Sequence, residues 1–124
     1  MEFNIQGSRP IWVQLAEQLR QRIVTGVYPA GAHFPSVRDL AAEAGVNPNT
    51  MQRAMAQLES EGLVITNRTV GRCVTDQEEI LGQLRLTLAL ERLESYFQDL
   101  EALGFSRGSA AEMAWKAGGE NHEQ

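Results

Sequence analysis

The chain has 124 residues, a formal net charge of −5 and a single cysteine. Single domains commonly run to about 100 to 150 residues, so one globular domain with a small appendage is expected, without a separate ligand-binding domain. No apolar run approaches the roughly 20 residues of a membrane span and no charged-then-apolar export signal opens the chain, so a cytoplasmic protein with no membrane partner is expected.

Met1 to Gly7 reads as a short extended lead. The first helix should begin at Pro10, because Ile11 or Trp12, Leu15, Leu19 and Ile23 recur at helical spacing and Gly26 offers a left-handed cap. Trp12 could be a stacking platform for a base, but an aromatic at the start of an apolar stripe reads first as core. Arg9 reads equally as a phosphate contact or a solvated side chain. Val27 to Gly31 forms a turn, and Ala32 to Pro35 a short strand able to pair with a later hairpin.

A second helix is expected from Val37 to about Ala44. Ser36 can cap it, with Asp39 three residues on in a variant of the capping box. Leu40 and Ala41 should face the core, and the small Ala41 and Gly45 permit a close crossing with the next helix. That third helix has the sharpest start in the chain: Asn47 is a favoured N-cap, and Pro48 at the first helical position has no donor to leave unpaired. At about 100° per residue, Met51, Ala54, Met55 and Leu58 fall on one face and Asn49, Gln52 and Arg53 on another. Gly62 ends the helix. Leu63 to Thr66 and Val74-Thr75 are rich in β-branched residues and flank Asn67 to Gly71, which is a hairpin signal. A buried strand position is the expected role of Cys73; with His33 and His122 far apart in sequence it is too little for a zinc site, and no metal or cofactor is expected.

One long helix should run from Asp76 to Leu103, opened by Asp76 or Gln77. Leu86, Leu90, Leu93, Phe97 and Leu100 recur at steps of four, three, four and three, a heptad seam, while Leu81, Leu84 and Leu88 lie on nearly the opposite face. A helix apolar on both sides must be covered on both, here by its own domain and by a second copy of the chain; the alternative is an appendage folded back on its own domain. Leu103-Gly104-Phe105 reads as a helix stop with Phe105 folded over the last turn. A short final helix follows, capped by Ser106 or by Ser109 with Glu112 at capping-box spacing, and its Ala110, Ala111, Met113, Ala114 and Trp115 offer an apolar surface to a partner. Gly118 to Gln124 should be disordered.

Two short helices separated at Gly45 and followed by a hairpin make a helix-turn-helix with a wing. The N-terminal residues of a recognition helix read bases in the major groove, and Asn47, Asn49, Thr50, Gln52 and Arg53 are types that pair with adenine or guanine edges or touch thymine methyls. Their plain alternative is a solvated helix face, against which stands the lack of Lys or Glu between Asn47 and Arg53. Arg38, in the first turn of the preceding helix, suits a phosphate clamp or a guanine edge; its alternative is an ion pair with Glu43. The acidic net charge divides unevenly. Residues 1–75 hold seven arginines against six carboxylates, giving +1, and residues 76–124 hold three arginines and one lysine against ten carboxylates, giving −6. That excludes a charge-driven coat on DNA but permits a local footprint from Arg38, Arg53, Arg68 and Arg72.

The runs Phe34-Pro35-Ser36-Val37-Arg38-Asp39-Leu40-Ala41, Gly45 to Ala54 and Leu58-Glu59-Ser60-Glu61-Gly62-Leu63 resemble the GntR family of bacterial transcription regulators, most closely its short YtrA-type branch. The resemblance reaches upstream through Pro10-Ile11 and Pro29-Ala30-Gly31 and downstream through Leu103-Gly104-Phe105, so it covers nearly the whole chain. It implies that Gly71 brings wing backbone close to the minor groove, with Arg68 or Arg72 at the phosphates. The wing departs from the family pattern, keeping only the final glycine of a glycine-basic-glycine tip and placing Cys73 where an aromatic is usual.

The expected fold is mainly α with a small β-hairpin: a winged helix-turn-helix over residues 1–75, a helical dimerisation segment over 76–117 and a tail over 118–124. The expected function is a homodimeric regulator, most simply a repressor, on an inverted repeat of double-stranded DNA, and the resemblance points to a transporter operon as target. Its dimer interface would comprise Leu86, Leu90, Leu93, Phe97, Leu100 and Trp115. A small-molecule effector, if one binds, has the apolar surface around Leu84, Leu88 and Trp115. The rival reading is a protein-binding adaptor that uses the winged helix or the seam. An enzyme is excluded by the lack of a His beside a nucleophile and of a phosphate-binding loop.

Overall fold

The computed structural model of the chain describes residues 2–119. The element order is α1 (Ile11–Val24), α2 (Val37–Ala44), α3 (Pro48–Ser60), β1 (Val64–Asn67), β2 (Gly71–Val74), α4 (Glu78–Ala102) and α5 (Arg107–Gly119), so the chain is mainly α with one antiparallel hairpin. Its described residues form two compact units that divide within α4, between Leu84 and Arg85.

In the first unit the helix boundaries follow from the caps. Ser36 Oγ accepts from the Asp39 amide at 3.0 Å, and Asn47 Oδ1 accepts from the Asn49 amide at 2.7 Å with Pro48 in the first turn. Both satisfy donors that a helix start leaves open. Gly45, at φ +70°, turns the chain between α2 and α3, and the Val46 amide reaches back to Ala41 O at 3.0 Å. Leu15, Leu19, Leu40, Ala41, Met51, Ala54, Met55 and Leu58 meet in one core with Phe34, Leu63, Val64 and Val74. The first turns of α4 close this core through Leu81, with Ile80 and Leu84 packed at its edge. That is the domain-facing side expected of the long helix.

Strand pairing aligns Val64 with Val74, Ile65 with Cys73, Thr66 with Arg72 and Asn67 with Gly71. The segment expected as a third strand is reduced to a single bridge between His33 and Cys73, flanked by Phe34 N to Arg72 O at 2.8 Å and Val74 N to Ala32 O at 2.9 Å. Cys73 is half-buried, short of the buried position expected, because strand side chains alternate: Val74 takes the core face and Cys73 falls on the outer face with its exposed partner Ile65.

The N-terminal lead is fixed by a device the sequence did not reveal. Gln14 and Gln18, one turn apart on α1, present their side-chain amides as a surrogate strand. The Gln6 amide donates to Gln14 Oε1 and Gln14 Nε2 donates back to Gln6 O, at 2.8 and 2.7 Å; Asn4 and Gln18 repeat the exchange at 2.8 and 2.6 Å. Phe3 then lies against the buried Arg22 guanidinium, 3.9 Å from ring centroid to carbon, and Arg22 pairs with Glu43 at 2.7 Å.

In the second unit the later turns of α4 pair with α5. The Tyr96 hydroxyl donates to Ala110 O at 2.6 Å over a fully buried Ala110, and Arg107 pairs with Glu94 and lies 4.6 Å over the Phe97 ring. Gly104, at φ +99°, stops α4, with the Phe105 amide returning to Leu100 O at 3.0 Å. The Phe105 side chain is 45% exposed. Ser106 caps α5 by accepting from the Ser109 amide at 3.0 Å, so the Ser109 capping box is not used. Gly118 and Gly119 belong to α5, and the rest of the expected tail, residues 120–124, lies outside the described residues.

Arg20 ties α1 to the end of α3 through two hydrogen bonds to the Glu61 carboxylate, at 2.8 and 2.6 Å. Burial pushes the Glu61 carboxyl up, and the hydrogen bonds from Arg20 and Gln57 outweigh it, leaving its pKa below the ordinary 4.5. A carboxyl depressed in the folded state contributes stability above its unfolded pKa and loses it as pH falls through the folded value. Urea unfolding at a series of pH values should therefore show Glu61→Gln less stable than the parent near neutrality, with the gap closing as pH falls below about 4. A gap that stays constant into acid would refute the assignment.

Candidate nucleic-acid interface

Burial of Met51, Ala54, Met55 and Leu58 sets the rotation of α3 about its axis, and Asn49, Gln52 and Arg53 are consequently exposed, with Thr50 half-buried. The Asn49 and Gln52 side chains have no partner among the described residues, so the C=O and the NH2 of each side-chain amide are available. Asn47 is different. Its Oδ1 already accepts from the Asn49 amide, so one of the oxygen's two lone pairs is engaged and the cap sets the side chain's orientation, with the N–H donors still open.

The arginines sort into two groups. Arg9 pairs with Glu17 at 2.8 Å, Arg20 with Glu61 at 2.6 Å, Arg22 with Glu43 at 2.7 Å and Arg72 with Glu59 at 3.1 Å. Arg38, Arg53 and Arg68 have no carboxylate partner among the described residues. Glu43 is the acid that might have masked Arg38; in the fold it is turned to Arg22. Arg38 is thus exposed in the first turn of α2, where the free N–H groups of a helix start favour anions. Arg53 lies 4.4 Å over the ring of Trp12, which is half-buried and not the core residue that its place in the apolar stripe implies.

The wing carries the remaining residues. Asn67 Oδ1 accepts from the Thr69 and Val70 amides at 2.8 and 3.3 Å, an Asx-type turn that organises the tip without the first glycine of the family pattern. Arg68 is exposed at this tip. Gly71 has φ +86°, and a Cβ there would meet His33 Nε2 at an ordinary 3.7 Å, so backbone conformation and not lack of room calls for glycine. Glu59, near the end of α3, accepts from Thr66 Oγ1 at 3.0 Å and from Arg72 Nε at 3.1 Å. Arg72 is therefore a brace between wing and helix, whereas Arg68 keeps its charge unpaired. A groove of about 390 Å³ separates the start of α2 from the wing, lined by His33 to Val37, Thr66, Gly71 and Arg72. The segment leading into α2 and the wing residues Gly71 and Arg72 thus line one groove, with α3 linked to the wing through Glu59, while Arg38 and Arg68 lie outside that lining. The partners Trp12, Glu59 and Asn67 were not legible, because each acts through a contact that spacing does not reveal.

Comparison with known proteins agrees with this geometry. Residues 12–74 match the model of the bacterial regulatory proteins of the gntR family. The HTH-type transcriptional regulator YhcF of Bacillus subtilis is 36% identical over 86% of this chain and 88% of its own, and the HTH-type transcriptional repressor YtrA of the same organism is 30% identical over 84% and 81%. Among solved structures, a GntR family transcriptional regulator from Listeria monocytogenes superposes with a TM-score of 0.78 at 33% identity, covering 90% of this chain and 98% of the other. The chain belongs to the GntR family of bacterial regulatory proteins, and it is a DNA-binding transcription regulator and not an enzyme.

Proposed function

We propose that this chain acts in the cytoplasm as a homodimeric, sequence-specific repressor that seats two copies of α3 in the major groove of an inverted-repeat operator. The observation that carries the reading is the sorting of charge in the first unit: its arginines left without a carboxylate among the described residues, Arg38, Arg53 and Arg68, stand on the start of α2, the exposed face of α3 and the wing tip. Asn49, Thr50 and Gln52 read base edges, Asn47 adds a donor, and Arg38 takes a phosphate or a guanine edge. Gly71 lets the wing backbone approach the minor groove, with Arg68 at the phosphates and Arg72 holding the wing in place.

Dimerisation is supported by the outward row on α4. Leu86, Leu90 and Leu93 are 52%, 55% and 43% exposed, Phe97 and Leu100 continue the row half-buried, and Trp115 on α5 is 68% exposed. Fully burying one large apolar side chain contributes about 1.5 to 3 kcal/mol, so covering the exposed part of these leucines on both copies offsets part of the freedom lost on association. A second copy of the same row is the self-complementary partner a two-fold dimer needs. Half-sites would then lie about 34 Å apart, one helical turn.

Selection of bound fragments from the source genome with purified protein tests the whole reading: enrichment of an inverted repeat is expected, and recovery of random fragments would sink it. On the enriched duplex, Gln52→Ala and Arg38→Ala should each weaken binding by about 1 to 3 kcal/mol in an anisotropy titration. Unchanged affinity would remove that residue from the interface. Arg68→Ala should reduce the magnitude of the slope of log affinity against log salt by about 0.9 per half-site, about 1.8 for the dimer, and Arg72→Ala by less, since its charge is already compensated. Leu90→Glu should convert a sedimenting dimer to monomer with helical content retained; a parent already monomeric, or a variant still dimeric, would refute the interface.

A further inference from the structure

Arg53 occupies the second turn of the recognition helix, is exposed, and has no carboxylate partner among the described residues, yet its guanidinium lies 4.4 Å over the indole of Trp12 from α1. We propose that Trp12 is a positioning residue for DNA binding, a platform that holds the Arg53 guanidinium in its bound orientation without neutralising it. The proposal rests on the reading of α3 as the DNA-facing helix.

The choice of partner decides what an arginine can still do. A carboxylate takes up the N–H donors and compensates the charge, as Glu61 does for Arg20 and Glu59 for the Nε of Arg72. An aromatic face takes only the flat face of the guanidinium. All five N–H groups lie in the guanidinium plane and stay available, the charge remains whole, and the long side chain surrenders rotamer freedom before the ligand arrives. Trp12 is the second residue of α1, and α1 is fixed to α3 through the shared core of Leu15, Leu19, Met51 and Met55, so the platform is rigid relative to the recognition helix.

The test is a double-mutant cycle on the full-length chain, titrated against the duplex that the parent enriches most from a random-sequence pool. Trp12→Leu should weaken binding about two- to fivefold, the size of an exposed cation–π contact, and leave the salt slope unchanged because no charge is removed. Trp12→Tyr should restore most of the loss, and in an Arg53→Ala background Trp12→Leu should cost nothing further. Equal thermal midpoints for the Trp12→Leu variant and the parent separate this from a folding defect. If the losses of Trp12→Leu and Arg53→Ala add in full, or Arg53→Ala weakens binding while Trp12→Leu does not, the platform is overturned and the DNA-facing assignment stands. If Arg53→Ala binds as the parent does, the placement of Arg53 at DNA falls, and the platform with it.

Discussion

The burial of one face of α3 is the constraint on which the remainder depends. Met51, Ala54, Met55 and Leu58 are each 0% exposed, and together they leave the helix no freedom to rotate about its axis. A rotation of one residue, about 100°, would drive Gln52 or Arg53 into that core and expose a methionine or leucine. Leaving a polar side chain unpaired in a core costs about 1 to 3 kcal/mol, and more for a charge, so the exposed face is set as firmly as the buried one. The Asn47 cap, the left-handed Gly45 and the small Ala41 serve the same end. They fix where α3 starts and how closely it crosses α2, which sets the height at which Asn49 and Gln52 leave the surface.

Given that frame, the ion pairs matter less for stability than for bookkeeping of charge. A surface ion pair adds little to stability, because solvent screens it and two long side chains must be held in one geometry, and Arg9–Glu17 is of that kind. What the pairs do is sort the arginines of a nearly neutral domain. Glu17, Glu43, Glu59 and Glu61 each take one arginine, and the positive charge left over falls on Arg38, Arg53 and Arg68. A chain with a net charge of −5 can in this way present local positive potential without added lysines. Such a surface favours a short-range, geometry-dependent encounter with DNA over nonspecific attraction.

The elements were legible wherever local chemistry dictates them. Asn47-Pro48, Ser36 with Asp39 and the glycines at 26, 45, 62 and 104 mark helix ends by capping and by positive φ, and α1, α2 and α3 lie where those signals put them. The hairpin was legible as a hairpin, but its strand limits were not, because pairing partners and not residue preference decide where a ladder stops. Trp12 was misread for a related reason. An apolar stripe shows which way an aromatic side chain leans, but not whether its outer face is covered, and here that face carries Arg53. The same limit hid the glutamine clasp of the N-terminal lead. Gln14 and Gln18 are ordinary polar residues in a helical pattern until a strand-like segment lies beside them.

The wing shows most clearly how position is imposed from outside. Two four-residue strands joined by a tight turn are at best marginally stable alone. This hairpin is held on three sides: by Val64 and Val74 in the core, by the bridge from His33 to Cys73, and by Glu59 gripping both Thr66 and Arg72. The last of these fastens the wing to the helix that carries Gln52 and Arg53. Wing and α3 are thereby tied together, and a hairpin too small to hold its own conformation alone is held at a set angle to α3. The arginine whose charge is lost to this brace, Arg72, is adjacent to the glycine that shapes the wing, while the one at the tip, Arg68, remains unpaired; rigidity and available charge are thus assigned to different residues of the same short loop.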